Sequence, residues 1–278
     1  MPLRPRALLI SALSMILAAS ASAQEQPTTA TPTQPHTSPQ EQPAKHKRPT
    51  VGLVLQGGGA LGAYQAGVYE ALGDSGIQPN WISGMSIGAI NAAIIAGNTE
   101  DARIDQLKRF WDQVTAPWSW LDPAGFGLAR GEGARHLLSR LSAAQALASG
   151  ANGFFAARPI GPWMQPDGTI EATSFYDTGE LKRTLERLVD FERINAGVTR
   201  LSVGAVNVRT GNFVYFDNTA HSIRPEHVMA SAALPPSFPA VEIEGEYYWD
   251  GGVVSNTPLQ LVVDDQPRGD TLAFQVDR

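Results

Sequence analysis

Ser86 stands in Gly84-Met85-Ser86-Ile87-Gly88, and Asp250 opens Asp250-Gly251-Gly252. Ahead of both runs the segment Gly57-Gly58-Gly59-Ala60-Leu61-Gly62. A hydroxyl between small residues, a carboxylate and a stretch of bare backbone amides suffice for nucleophilic acyl transfer. The hydroxyl attacks an ester carbonyl, the carboxylate takes its proton, and the amides hold the oxyanion that forms. Gly84 and Gly88 allow the strained backbone and open approach that a nucleophilic serine needs. Gly251 and Gly252 allow the carboxylate loop to come close to it. Asp-Gly-Gly taken alone is an ordinary turn sequence.

Two other chemistries compete for these residues. Gly57, Gly59 and Gly62 also fit the Gly-x-Gly-x-x-Gly pattern of dinucleotide sites, which expects an acid at the end of the second strand to hold the ribose. That stretch here is Trp81-Ile82-Ser83-Gly84-Met85-Ser86, without an acid. The second alternative is a histidine-dependent esterase. The histidines are His36, His46, His136, His221 and His227, and none follows Asp250. A triad in the order serine, acid, histidine therefore cannot use Asp250. One built on His221 or His227 would need Asp177 or Asp217. Both histidines, and His136 beside Arg135 and Arg140, are expected to face solvent. The plainer reading pairs Ser86 directly with Asp250, with Gly57, Gly58 and Gly59 supplying oxyanion amides. A carboxylate with an ordinary pKa near 4 is a weak base, so the pair must be in contact and shielded from water.

The elements that would position these groups are legible around them. Val51-Gly52-Leu53-Val54-Leu55 is a continuous apolar run, the mark of a strand covered on both faces. Tyr64, Val68 and Leu72 predict a helix after the glycine turn. Trp81-Ile82-Ser83 predicts a second strand leading through Ser86 into a helix that shares Ile87, Ile90 and Ile94 on one face. This β-α-β-α order predicts an α/β fold with a parallel sheet. Further along come a helix over Asp101–Val114, an aperiodic aromatic stretch over 117–171 with a short helix near Ala134–Leu141, and a helix capped by Asp177 or Thr178. A hairpin over Leu201–Asn207 and Phe213–Asp217, a helix over Pro225–Ala232, a turn between Val241–Ile243 and Tyr247–Trp249, and a strand over Thr271–Val276 complete the expectation. The aromatic stretch could serve as a lid.

Composition limits the partners. The chain has 278 residues, 43% hydrophobic and 17% charged, and a formal charge of −6. Residues 1–23 have the layout of a secretory signal peptide. Arg4 and Arg6 precede an apolar run from Ala7 to Ala19, too short for a comfortable membrane span, and Ala21-Ser22-Ala23 reads as a cleavage site. An uncleaved anchor is the alternative. Residues 24–49 are a Pro-, Gln- and Thr-rich linker, expected to be disordered, and residues 50–278 form the catalytic domain. Cleavage leaves 19 basic against 27 acidic residues, a charge of −8. Nucleic acid is excluded as a partner for so acidic a chain. With no cysteine, disulfides, thiolate metal sites and lipid-modified cysteine are excluded as well. No metal site or cofactor is expected, and export to the periplasm or medium of a bacterium is.

The three segments, in this order, resemble the patatin-like phospholipase family, as does Met229-Ala230-Ser231-Ala232-Ala233-Leu234-Pro235 ahead of the aspartate loop. The similarity runs from about Val51 to the C-terminus. It implies a three-layer α/β/α sandwich with a mainly parallel central sheet. It also implies a metal-free lipid acyl hydrolase with Ser86 and Asp250 as catalytic dyad and Gly57, Gly58, Gly59 and Gly62 as oxyanion segment. The implied partners are a lipid or ester substrate and a transient membrane surface. Many members carry Lys or Arg before the last glycine of the first segment, where this chain has Leu61, so ester hydrolysis is the firmer implication than phospholipid preference. A module that binds lipid without hydrolysing it is the alternative from another class.

Overall fold

A computed structural model describes residues 49–116, 132–264 and 271–277. The predicted signal peptide and the linker as far as Arg48 lie outside the described residues, as do Trp118, Trp120, Phe126 and the side chain of His136. Among the described residues no helix is long and apolar enough to cross a membrane.

The chain opens with β1 (Thr50–Leu55), a single 3₁₀ turn at Gly59–Gly62 and α1 (Ala63–Asp74). There follow β2 (Trp81–Gly84), α2 (Ile87–Ala96), α3 (Arg103–Thr115) and α4 (Glu132–Ser149), the last longer than the short helix expected there. Next are β3 (Gly150–Ala151), β4 (Phe155–Ala157), β5 (Tyr176–Asp177), α5 (Gly179–Leu188) and α6 (Phe191–Asn195). The remainder is β6 (Arg200–Asn207), β7 (Phe213–Asp217), α7 (Pro225–Ser231), β8 (Val241–Ile243), β9 (Glu246–Asp250), α8 (Leu259–Asp264) and β10 (Thr271–Val276).

The main sheet is mixed, in the order β10-β1-β2-β6-β9-β8, with β7 paired to β6. β10, β1, β2 and β6 run parallel, while β7 and β9 oppose β6. β8 opposes β9 and so rejoins the majority direction. The three two- or three-residue strands β3, β4 and β5 form a separate small sheet that no periodicity announced.

Strand alternation sends side chains to two different cores. Leu53, Leu55, Ile82, Leu201 and Val203 face a large cluster with α1, α2, α3, α5 and α7. Val54 and Trp81 face the other way, against Val262 of α8. Helices thus cover both faces of the sheet, the expected three layers, with α8 alone on the second face among the described residues. Because α2 lies between the sheet and the other helices, every one of its residues is buried rather than one face only. In α1 the inward residues are Gln65, Tyr69 and Leu72, while Tyr64 is exposed, so the buried face is turned one position from the apolar one. Polar partners cause the turn. The Gln65 amide donates to the Gln56 carbonyl at 2.6 Å, and the Tyr69 hydroxyl accepts from the buried Arg103 guanidinium at 3.0 Å.

Candidate active site

Two strands meet end to end at the site. β2 pairs with Arg200–Val203 of β6 and β9 with Ala205–Asn207. β7 occupies the other edge of β6 along Ser202–Val206. β2 and β9 therefore share one edge, with their carboxyl ends facing each other across Gly204. Ser86 lies just beyond one end and Asp250 is the last residue of the other. A side chain on Gly204 would strike Met85 and Phe213, and one on Gly251 would meet the Met85 sulfur at 2.3 Å. The absence of side chains at both positions is what lets the two ends approach.

The turn carrying Ser86 is tight for a similar reason. A Cβ on Gly84 would lie 2.3 Å from the Gly88 carbonyl oxygen, and one on Gly88 would lie 2.2 Å from that of Leu55. Both obstacles are backbone and cannot yield. Between them Ser86 adopts φ 54° and ψ −125°, a left-handed conformation that costs a non-glycine residue about 1–3 kcal/mol. The Ser86 N–H donates to the Ser231 hydroxyl at 3.2 Å, which ties the strained peptide to α7. Its carbonyl caps α2 by accepting from the Ala89 N–H at 2.9 Å. The hydroxyl thus sits at the positive end of the α2 dipole.

The Asp250 carboxylate is 1% exposed. Burial pushes its pKa up to about 6, against the opposing pull of hydrogen bonds from the Ser86 hydroxyl and the Gly252 N–H. The latter donates at 2.7 Å. Asp250 and Ser86 are thus brought together. Gly57 is beside them, since a Cβ there would stand 3.0 Å from the Ser86 Cβ.

The glycine segment is fixed from two sides. The Gly57 N–H donates to the Asn256 carbonyl, and the Asn256 amide donates back to the Gly57 carbonyl, both at 3.2 Å. The Gly57 N–H is therefore occupied, and this glycine contributes clearance. Gly58 and Gly59 are exposed, and their N–H groups meet no protein acceptor among the described residues. Gly59 has φ +57°, where glycine is at ease. Gly62 is packed rather than presented: a Cβ there would lie 2.7 Å from Ile87 and 3.2 Å from Trp111. An open pocket of about 180 Å³ flanks the segment, lined by Gly58, Leu61, Tyr64 and Asn256 among others.

Neither described late histidine is available as a base. His227 is buried, not solvent-facing. Its Nδ1 accepts from the Arg224 N–H at 2.9 Å, and burial lowers its pKa. His221 Nδ1 accepts from the Asp217 N–H at 3.4 Å. Asp217 is held by Arg200 at 2.9 Å and Ser202 at 2.6 Å, away from any triad, and Asp177 binds the Gly179 N–H at the start of α5. Among the described residues no group of three His, Asp or Glu side chains could hold a metal ion.

Ser231, Asn256, Gln65 and Asn91 were not singled out from the sequence. Asn91 carried a usable signal, as the one polar side chain in the otherwise apolar run Ile87–Ala96. Asn256 carried none.

The patatin-like phospholipase family model matches residues 53–263, which include all three glycine-bearing segments. The chain belongs to the patatin-like phospholipase family. Its similarity to a lysophospholipase, NTE1, of Yarrowia lipolytica is 25% identity over 228 residues, covering 82% of this chain and 12% of that protein. A neuropathy target esterase, sws, of Drosophila melanogaster is 35% identical over 69 residues, 25% of this chain and 5% of that protein. The chain thus spans only a small part of the length of these curated relatives. Among solved structures, VipD from Legionella pneumophila aligns with a TM-score of 0.45 and 20% identity, over 81% of this chain and 49% of that one.

Proposed function

We propose that this patatin-like chain is an exported serine lipid acyl hydrolase that cleaves carboxylic esters through an acyl-enzyme. Ser86 Oγ bonds to the ester carbonyl carbon as its proton passes to Asp250. The Gly58 and Gly59 N–H groups receive the oxyanion. The alcohol leaves with the proton from Asp250. Water then attacks the acyl carbon while Asp250 takes its proton, and Ser86 recovers a proton as the acid departs. The observation that carries this reading is Asp250, 1% exposed, whose carboxylate is pushed by burial to a pKa of about 6 at the strand end that meets Ser86. A base poised there is far better matched to neutral pH than an ordinary aspartate.

The substrate class follows from the rim. Exposed Leu61, Leu234, Val253 and Val254 flank the glycine segment and the Asp250 loop, and an apolar rim suits acyl chains presented at a lipid surface. Leu61 stands where a basic side chain would grip an anionic head group, so selection rests on the acyl ester. The names lysophospholipase and esterase borne by the relatives agree with that class. Export rests on residues 1–23. The test is hydrolysis of a panel of lysophospholipids, phospholipids and short-chain esters by wild type and Ser86→Ala. Turnover of at least one ester that is abolished by the substitution supports the proposal. Equal turnover by the two proteins, or none by wild type, overturns it.

A further inference from the structure

The oxyanion segment has no polar side chain of its own to hold it, and Gly58 to Leu61 are exposed. Glycine-rich backbone is soft, yet its amides stabilise a transition state only if they are aimed in advance. Two carbonyls bracket the segment, those of Gln56 and Gly62. Both are gripped from inside the protein. The Gln65 Nε2 donates to the Gln56 oxygen at 2.6 Å, and the Asn91 Nδ2 donates to the Gly62 oxygen at 3.0 Å. The two amides are joined, since Asn91 Nδ2 also donates to Gln65 Oε1 at 2.8 Å. Behind them the Trp111 indole N–H donates to Asn91 Oδ1 at 3.1 Å.

The chemistry of the ends fixes the direction of this chain of bonds. An indole N–H only donates and a peptide oxygen only accepts, so neither amide can flip without leaving a buried group unpaired. Asn91 is 0% exposed and Gln65 6%. Every donor and acceptor of the Asn91 side chain is used, which is the condition for burying an amide at small cost. Asn91 belongs to α2, the helix that Ser86 caps, and Gly62 rests directly on Ile87, the residue after Ser86.

We propose that Gln65, Asn91 and Trp111 are positioning residues for the acyl transfer, a buried clamp that fixes the oxyanion amides relative to the nucleophile by holding both ends of the glycine segment to α1 and α2. The inference rests on the proposed function above. It is independent of the Ser86–Asp250 contact, which the clamp does not touch.

The test uses the full chain with Gln65→Met, which keeps length and loses the donor, and Trp111→Phe, which keeps a ring and loses the N–H. A soluble p-nitrophenyl ester and an alkyl boronic acid are the probes; the tetrahedral adduct of the latter presents an oxyanion. A misplacement on the order of 1 Å costs roughly 10²-fold in rate. Gln65→Met is expected to lower kcat by about that factor with KM within about twofold, and to weaken boronate inhibition by the same factor. Trp111→Phe is expected to act in the same direction, to a smaller extent. The acid-limb midpoint near pH 6 stays unchanged, and both variants stay folded at the assay temperature, with melting temperatures lowered by a few degrees for the lost buried hydrogen bonds. Unchanged kcat in folded variants, a kcat loss that merely follows loss of folded protein, or a parallel rise in KM overturns the clamp. Such a result leaves the Ser86→Ala comparison standing. A wild type that Ser86→Ala does not impair overturns the underlying proposal and the clamp with it.

Discussion

A carboxylate at the end of β9 is expensive to bury, and Asp250 carries the signature of that cost. An aspartate in the unfolded chain titrates near 4, whereas folded Asp250 titrates at about 6 because it is desolvated. The folded protein therefore holds this proton more tightly between those values. Stability from this group is greatest below pH 4, falls as pH rises through 6, and is level above. The span corresponds to about 3 kcal/mol. Asp250→Asn removes the charge, so its melting temperature is expected to exceed wild type at pH 8, with the gap closing as pH approaches 4. Thermal unfolding of both proteins across that range checks it, and a gap independent of pH contradicts it. The same substitution is expected to lower turnover by roughly 10²–10⁴, the usual worth of a general base. The residues of this pair were legible because their neighbours are glycines in recognisable runs. Gln65 and Asn256 were not, because a buried glutamine, or an asparagine in an exposed loop, looks like any surface residue until its partner is known.

Among the elements, the β2-to-α2 junction is the most constrained. Gly88 is pressed on the Leu55 and Gln56 carbonyls, whereas Gly59 has open space around it and only its positive φ to protect. Alanine at the two positions should separate these effects. Gly88→Ala is expected to cost about 3 kcal/mol or more, because backbone cannot move aside. Gly59→Ala is expected to cost about 1–2 kcal/mol of conformational strain while shifting an oxyanion amide. Denaturant midpoints and kcat for both variants test the contrast. A Gly88→Ala protein as stable as wild type would contradict the packing argument. β1 was readable because it is covered on both faces and Val51–Leu55 runs continuously apolar, and β2 because Trp81-Ile82-Ser83 leads straight into the glycine-flanked serine turn. That α1 also turns Gln65 and Tyr69 inward could not be read, because they find polar partners inside, which hydrophobic periodicity does not register. The meeting of β2 and β9 on one edge of β6 was beyond reach, since it depends on pairings between distant segments.

For the whole molecule, charge and apolar surface act in opposite senses. The chain is acidic, at −6 before any processing, and should be repelled by anionic lipid. The exposed Leu61, Leu234, Val253 and Val254 near the site favour a lipid surface that carries no net charge. Hydrolysis at low ionic strength is expected to be faster on phosphatidylcholine vesicles than on phosphatidylglycerol vesicles, with the difference shrinking in high salt as screening takes hold. Equal rates at low salt would contradict this electrostatic account. Export is proposed from residues 1–23, where charge is followed by an apolar run and small residues. Sequencing the N-terminus of protein recovered from the periplasm or medium of a bacterial host tests cleavage after Ala23.

The central claim is that the Ser86 hydroxyl is activated by direct contact with Asp250. The most direct test is the rate of phosphonylation by a fluorophosphonate, followed by mass spectrometry from pH 4 to 9 in wild type and Asp250→Asn. The adduct is expected on Ser86, with a wild-type rate that rises through a midpoint near pH 6 and a variant rate that is low and without that midpoint. An adduct on another residue, or an Asp250→Asn protein labelled as fast as wild type, would contradict it.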